Sequence, residues 1–267
     1  MGFLDEIVRA TRETVASPTY LSGLGPRRTR ERSIRMSDAI RRTGASGAVL
    51  VEFKRVSPGS ASPALPARTP AEFVRLAEPG GVVGYSCIAT VPRFDGAPAD
   101  VAALASATSR PVLFKDFVVD RVQLDAAVRA GADAVLLIAR LASEGFLEVP
   151  LPELASEAHA RGLEVLLEFH QKAELRQAVD VGADMFGVNA RDLDTLRMEP
   201  DVAESTLRAA TGLRPLLGLS GVSSSSDAGR FWNAGADGIL VGSAAARSGD
   251  PAAFLRSLHR GSGGGTA

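Results

Sequence analysis

The chain has 267 residues, 45% hydrophobic and 23% charged, with a formal net charge of -1. That balance excludes a disordered or strongly polyionic chain, and with 5% aromatics and no basic excess it gives no support for nucleic-acid binding. A single cysteine, Cys87, excludes an intrachain disulfide and a cysteine-based zinc site, and the three histidines form no His-x-x-x-His pair, so metal catalysis is not expected.

The N-terminal run Met1-Gly2-Phe3-Leu4-Asp5-Glu6 is acidic where a signal peptide needs positive charge, and no apolar run approaches the roughly 20 residues of a membrane span. The expectation is a cytoplasmic protein without membrane contact. Two helical segments, Leu4 to Val15 and Arg27 to Thr43, make residues 1–46 a helical extension that flanks the main domain. Eight apolar runs follow as strands: Ala48 to Lys54, Val82 to Ile88, Pro111 to Phe117, Ala134 to Ala139, Glu164 to Phe169, Met185 to Asn189, Pro215 to Ser220 and Gly238 to Val241. Most are continuous rather than alternating, as in strands covered on both faces. Helix-like stretches separate them, among them Pro98 to Thr108, Arg121 to Ala130, Leu151 to Arg161, Gln171 to Val181 and Ser224 to Ala234.

The triplet Gly-Ala-Asp recurs at residues 131–133, 182–184 and 235–237, each time after a helix-like stretch and before an apolar run. Glycine there is the left-handed stop of a helix, and the spacing is that of repeated strand–helix units. Eight such units read as an α/β chain folded into a single (β/α)8 TIM barrel over residues 1–267, with an N-terminal helical extension. An open doubly wound sheet would want a Gly-x-Gly-x-x-Gly turn after its first strand, and none is present. The loop from Ser57 to Pro70, rich in serine, proline and alanine, is a candidate lid, and the tail from Gly261, residues 261–267, is expected to be flexible.

Charge at the strand ends carries the functional signal. The chain has only three lysines, Lys54, Lys115 and Lys172. A strand period of two puts Glu52 and Lys54 on one side; Lys115 ends the third strand, Glu168 the fifth, Asn189 with Arg191 the sixth, and Ser220 the seventh. One buried ion pair is a common structural plug, but polar ends on five of eight strands, at the face where barrels place their chemistry, point to a site for an anionic small molecule. Mutual repulsion among Lys54, Lys115 and Arg191 is expected to lower the lysine pKa values. Ser220-Gly221 and Gly242-Ser243 end the last two strands, where many barrels hold a phosphate.

The segments Val51-Glu52-Phe53-Lys54-Arg55-Val56-Ser57-Pro58, Pro111 to Phe117 with Phe114-Lys115-Asp116-Phe117, Leu167-Glu168-Phe169-His170 and Gly187-Val188-Asn189-Ala190-Arg191-Asp192-Leu193 resemble, in this order, the indole-3-glycerol phosphate synthases. The opening Leu4 to Val8 and the stretch Gly238 to Ser243 extend the resemblance over nearly the whole chain. It implies a cofactor-free lyase of tryptophan biosynthesis. Its reaction closes the indole ring of 1-(2-carboxyphenylamino)-1-deoxyribulose 5-phosphate with loss of carbon dioxide and water. By the same resemblance Lys115 is the general acid and Glu168 the general base, Lys54 holds the substrate carboxylate, and Glu52 positions the lysines. Asn189, Arg191 and Ser220 contact the substrate, and Ser57, Gly221, Gly242 and Ser243 cradle its phosphate. The partner implied is this phosphorylated, anthranilate-derived small molecule, with the protein a monomer or weak homo-oligomer.

Three departures from the family pattern stand out: Leu219 where a glutamate is usual, Ala89-Thr90 where threonine and an acid are usual, and Gly59-Ser60-Ala61 in the first loop. They keep two further readings open, a diverged paralogue acting on a modified substrate and a non-catalytic barrel serving as a binding partner. A phosphoribosylanthranilate isomerase would want an Asp and Cys pair at strand ends, and Cys87 lies in the wrong motif. Trp232, in a helix-like run, reads as packing.

Overall fold

The computed structural model describes residues 2–26, 34–60, 64–66 and 68–261. Eight parallel strands close into a barrel in sequence order, β8 pairing with β1: β1 (Ala48–Phe53), β2 (Gly84–Ile88), β3 (Val112–Lys115), β4 (Ala134–Ile138), β5 (Glu164–Phe169), β6 (Met185–Asn189), β7 (Leu216–Leu219) and β8 (Gly238–Val241). Helices α1 (Phe3–Val15) and α2 (Met36–Arg41) precede the barrel. Those that follow its strands are α3 (Pro70–Ala77), α4 (Pro98–Ala107), α5 (Arg121–Ala130), α6 (Ala139–Ser143), α7 (Leu151–Ala160), α8 (Leu175–Val179), α9 (Pro200–Ala209), α10 (Ser225–Asn233), α11 (Ser243–Arg247) and α12 (Pro251–Ser257). The eight expected strands are the observed ones, to within two residues at each end. Among the described residues no helix is long and apolar enough to cross a membrane.

Strand parity separates two cores. Val49, Val51, Phe53, Tyr85, Cys87, Phe114, Val165 and Val188 face outward into the layer shared with the helices, where Trp232 is buried and donates its indole N–H to the Leu258 carbonyl. Ala48, Leu50, Leu113, Leu136, Leu166, Met185, Leu217 and Leu240 face inward with Met36 and Ile40, which plug the lower end. Two residues beyond Leu50, Leu113 and Leu166 on the same inward rows stand Glu52, Lys115 and Glu168. The barrel is therefore apolar below and polar at its C-terminal mouth.

The Gly-Ala-Asp repeat has a structural cause. Gly131, Gly182 and Gly235 all take positive φ. The aspartates then tie neighbouring strands together: Asp133 accepts from the Val112 N–H at 2.9 Å, Asp184 from Val165 at 2.9 Å and Asp237 from Leu216 at 2.7 Å. Each thus satisfies an amide at the lower end of a strand one turn of the repeat earlier.

Two expected helices are shorter than their sequence pattern. Of the segment from Arg27 to Thr43, residues 27–33 lie outside the described part, and the helix proper begins at Met36, where the buried Glu164 carboxylate accepts from the Met36 N–H at 2.6 Å. The stretch from Gln171 to Val181 is a 3-10 turn followed by the short α8, because Glu174 is turned inward to accept from the His170 N–H at 2.7 Å. The tail after Gly261 lies outside the described residues, as do residues 61–63 and 67 of the loop after β1.

Removing the strand tie at the buried Asp133 leaves the Val112 N–H without its acceptor. Asp133→Ala is expected to cost about 1–3 kcal/mol of stability, with a smaller loss for Asp133→Asn, which keeps an acceptor oxygen; the midpoints of urea unfolding measure both.

Candidate active site at the barrel mouth

Glu52, at the end of β1, is buried and bridges two lysines. Its Oε1 lies 2.8 Å from Lys54 Nζ and its Oε2 3.7 Å from Lys115 Nζ, which reaches across from β3. Burial alone would raise the Glu52 carboxyl, but the two ammonium groups outweigh it and hold the pKa below the ordinary value. On Lys115 burial acts to lower the pKa, and Glu52 with Glu168 reverses that, so it ends above the ordinary value of 10.5. The lowering expected from repulsion among the cations is therefore overturned at Lys115: the attraction of Glu52 and Glu168 outweighs the repulsion from Arg191. At Arg191 burial does prevail and the pKa is lowered, with Glu52 opposing.

On the opposite wall Glu168 Oε1 accepts from Asn189 Nδ2 at 2.9 Å, while its buried Oε2 makes no protein hydrogen bond. Asn189 Oδ1 accepts from the Arg191 N–H at 3.0 Å, and the Arg191 guanidinium donates to the Leu196 carbonyl at 2.8 Å. The walls that carry Lys115 and Glu168 are thus fixed by separate networks and share one cavity.

That cavity has two lobes. Glu52, Lys54, Ser57, Arg191 and Ser220 line both. Lys115, Glu168 and Asn189 belong to the first, whose remaining wall is mainly apolar: Phe3 of α1, Phe94, Phe117, Ile138, Leu193 and Leu219. Phe3 meets Phe94 edge-on at 6.5 Å, and Phe94 lies 6.1 Å from Phe117. The second lobe, about 470 Å³, is lined by Gly221, Ser223, Gly242, Ser243 and Arg247. Ser243 donates to Ser57 Oγ at 3.0 Å, linking the ends of β8 and β1. All eleven site residues expected from the sequence line this mouth.

Gly242 has a reason beyond turn geometry: a Cβ there would stand 2.8 Å from Glu52 Oε1 and 2.9 Å from Lys54 Nζ. Of the family departures, Leu219 is buried against Gly187, where an added Cβ would lie 2.6 Å from its Cδ1. Thr90 remains part of the polar lining and donates to Asp116 Oδ1 at 2.7 Å. Asp116 also accepts from Gln123 Nε2 at 2.8 Å and from the Phe117 N–H at 2.9 Å; burial raises its pKa against these three bonds. The sequence reading gave no role to Asp116, Gln123, Phe3, Phe94 or Arg247. The turn Pro92-Arg93-Phe94-Asp95-Gly96 after β2 was the available signal for Phe94, since loops on that face build the site. Among the described residues no cluster of three or more His, Cys, Asp or Glu could hold a metal ion.

The sequence profile of the family described as indole-3-glycerol phosphate synthase matches residues 4–258. The chain belongs to this family. It is 32% identical to the indole-3-glycerol phosphate synthase of Exiguobacterium sibiricum over 97% of each chain. It is 35% identical to that of Mycolicibacterium gilvum over 96% of this chain and 93% of the relative, and 41% identical to that of Halobacterium salinarum over 66% of each. Among solved structures, 3-hexulose-6-phosphate synthase superposes with a TM-score of 0.63 at 17% identity, covering 80% of this chain and 99% of that one, a likeness of fold alone.

Because the groups that a Gly242→Ala methyl would meet are the far ends of flexible side chains, this variant is expected to fold, with a melting temperature lowered by no more than about 4 °C, and to displace the Glu52–Lys54 pair. A shift of the Lys54 signal among the three lysine side-chain resonances, measured by NMR, checks this.

Proposed function

We propose that the chain is a carbon–carbon lyase that converts 1-(2-carboxyphenylamino)-1-deoxyribulose 5-phosphate into indole-3-glycerol phosphate, carbon dioxide and water. The observation that carries the reading is the pairing of a lysine held protonated, Lys115, with a carboxylate on the facing wall, Glu168, in one cavity with an apolar lobe and a glycine- and serine-rich lobe. The atoms balance without an external oxidant or reductant.

Lys115 gives a proton to the ribulose carbonyl oxygen as the carboxylate-bearing ring carbon attacks its carbon, forming the new C–C bond. Loss of carbon dioxide returns the electron pair of the broken C–C bond to the ring. The hydroxyl so formed then leaves as water with a second proton from Lys115, which regains one from solvent after the first transfer. Glu168 removes the carbon-bound proton whose loss completes the indole. Its Oε2, free of protein hydrogen bonds, is the oxygen available to take that proton. Lys54 holds the substrate carboxylate, and Glu52 keeps Lys115 charged and aligns both lysines. Arg191, Asn189 and Ser220 contact the sugar chain, while Ser57, Gly221, Gly242 and Ser243 receive the phosphate. The aromatic ring lies against Phe94, Phe117 and the leucines of the first lobe.

Single-turnover conversion of that substrate, followed by indole absorbance, tests the reading. Lys115→Ala and Glu168→Gln are each expected to slow indole formation about a hundredfold to ten-thousandfold; wild-type protein that binds the substrate without forming indole would overturn the assignment.

Leu219 favours a second reading, a diverged member acting on a ring-substituted substrate. With Leu240, Leu136 and Ile138 it makes an apolar floor to the first lobe. On that reading wild-type protein prefers substrate with an apolar ring substituent over the unsubstituted compound in kcat/KM, and Leu219→Glu reverses the preference; no preference in either protein would reject it.

A further inference from the structure

The ladder between β5 and β6 ends at the Phe169–Val188 pair. One residue further on, a side chain continues the connection. His170 is buried, its Nδ1 lies 2.7 Å from the Asn189 carbonyl oxygen, and its Nε2 lies 3.0 Å from Glu199 Oε2 at the start of α9. The carbonyl can only accept, so the ring donates to it from Nδ1, and Nε2 is left to pair with the Glu199 carboxyl. The main chain of His170 is pinned as well, by its N–H to Glu174 Oε2 at 2.7 Å. On the far side, the Glu199 N–H donates to the Ala190 carbonyl at 2.7 Å, and the Ala190 N–H to the Leu219 carbonyl at 2.9 Å. The backbone of residues 189–190 is thereby clamped between the ends of β5 and β7.

This matters because Asn189 carries the only protein hydrogen bond to Glu168 among the described contacts, from Nδ2 to Oε1 at 2.9 Å, and its Oδ1 accepts from the Arg191 N–H. A rotation of the Asn189 peptide would move both. We infer that His170, anchored by Glu199, is a positioning residue: it fixes the Asn189 backbone so that the Asn189 side chain holds Glu168 by Oε1 at the cavity wall and leaves Oε2 without a protein partner. His170 does not line the cavity and takes no part in bond making or breaking. The inference deepens the proposed reaction and rests on it for the role of Glu168, but not for the geometry of the clamp.

Two isosteric replacements separate the two ends of the ring. In His170→Asn the amide nitrogen stands close to Nδ1 and keeps the donor to the Asn189 carbonyl; in His170→Gln it stands close to Nε2 and keeps only the contact to Glu199. His170→Ala removes both. The chain has two asparagines, Asn189 and Asn233, so asparagine-labelled protein gives two side-chain amide signals, with a third in His170→Asn, and solvent exchange of the Asn189 amide reads its hydrogen bond without any need for turnover. Exchange is expected to quicken about tenfold or more in His170→Ala and His170→Gln and to stay near wild type in His170→Asn. In single turnover, His170→Ala should slow indole formation by up to about a hundredfold while substrate consumption slows less, so that an intermediate builds up before the proton removal assigned to Glu168. A merely structural role would slow both phases equally and spare neither isostere.

Unchanged Asn189 exchange in His170→Ala, or equal loss in the Asn and Gln variants, overturns the inference, as does wild-type indole formation by His170→Ala. Where an alanine variant does not fold, the Asn and Gln pair decides alone. Wild-type protein that forms no indole while Asn189 exchange follows the expected order would reject the proposed reaction and leave the clamp standing.

Discussion

The Glu52 carboxylate stands between two ammonium groups in a barrel mouth where little water reaches it. Burying charge at that depth costs several kcal/mol per ion, and burial opposes the charged forms of both Glu52 and Lys115. Their mutual attraction decides the outcome: the carboxyl is held below its ordinary pKa and Lys115 above its own. An ammonium at the mouth of a barrel that is apolar below is thus secured by a carboxylate two strands away, and Gly242 gives that carboxylate room. The chemistry assigned to Lys115 depends on this triad being complete.

Parity distributes everything else. Because side chains alternate along a strand, the rows that fill the barrel with leucine and alanine below deliver Glu52, Lys115, Glu168 and Asn189 above without any irregular backbone. The two walls they form are stabilised by different means. The Lys115 wall is ionic, built from Glu52 and the lysines; the Glu168 wall is a chain of hydrogen bonds from Glu199 through His170 and Asn189 to Glu168. Separate networks let the ammonium and the carboxylate proposed as acid and base share a cavity. The apolar lobe, which Phe3 of the N-terminal helix helps to line, and the serine-lined lobe beside β8 give that cavity an apolar end and a polar end.

Much of this was readable in the sequence, for identifiable reasons. Strands buried on both faces leave continuous apolar runs, and a charge at the end of such a run has few places to go but the mouth. The Gly-Ala-Asp triplets marked the repeat, although the role of their aspartates as ties between strands needed the register. The sign of the Lys115 shift was misjudged from the sequence, since counting like charges cannot reveal that Glu52 and Glu168 both face that ammonium. His170 sat in a recognised motif without a role because its partners, Asn189 and Glu199, lie 19 and 29 residues away in sequence. Phe3 belongs to an amphipathic helix whose stripe, Leu4, Ile7, Val8 and Thr11, accounts for burial but not for reaching the cavity.

The most direct test is a titration of the lysine side chains by nitrogen NMR in wild-type protein and in Glu52→Gln. With three lysines, each signal is assignable. The account predicts that Lys115 titrates above 10.5 in the wild type and falls once Glu52 loses its charge, because burial then acts with only Glu168 to oppose it. A Lys115 that titrates below its ordinary value in the wild type, or one indifferent to Glu52→Gln, would contradict the claim that this carboxylate holds the acid in its protonated form.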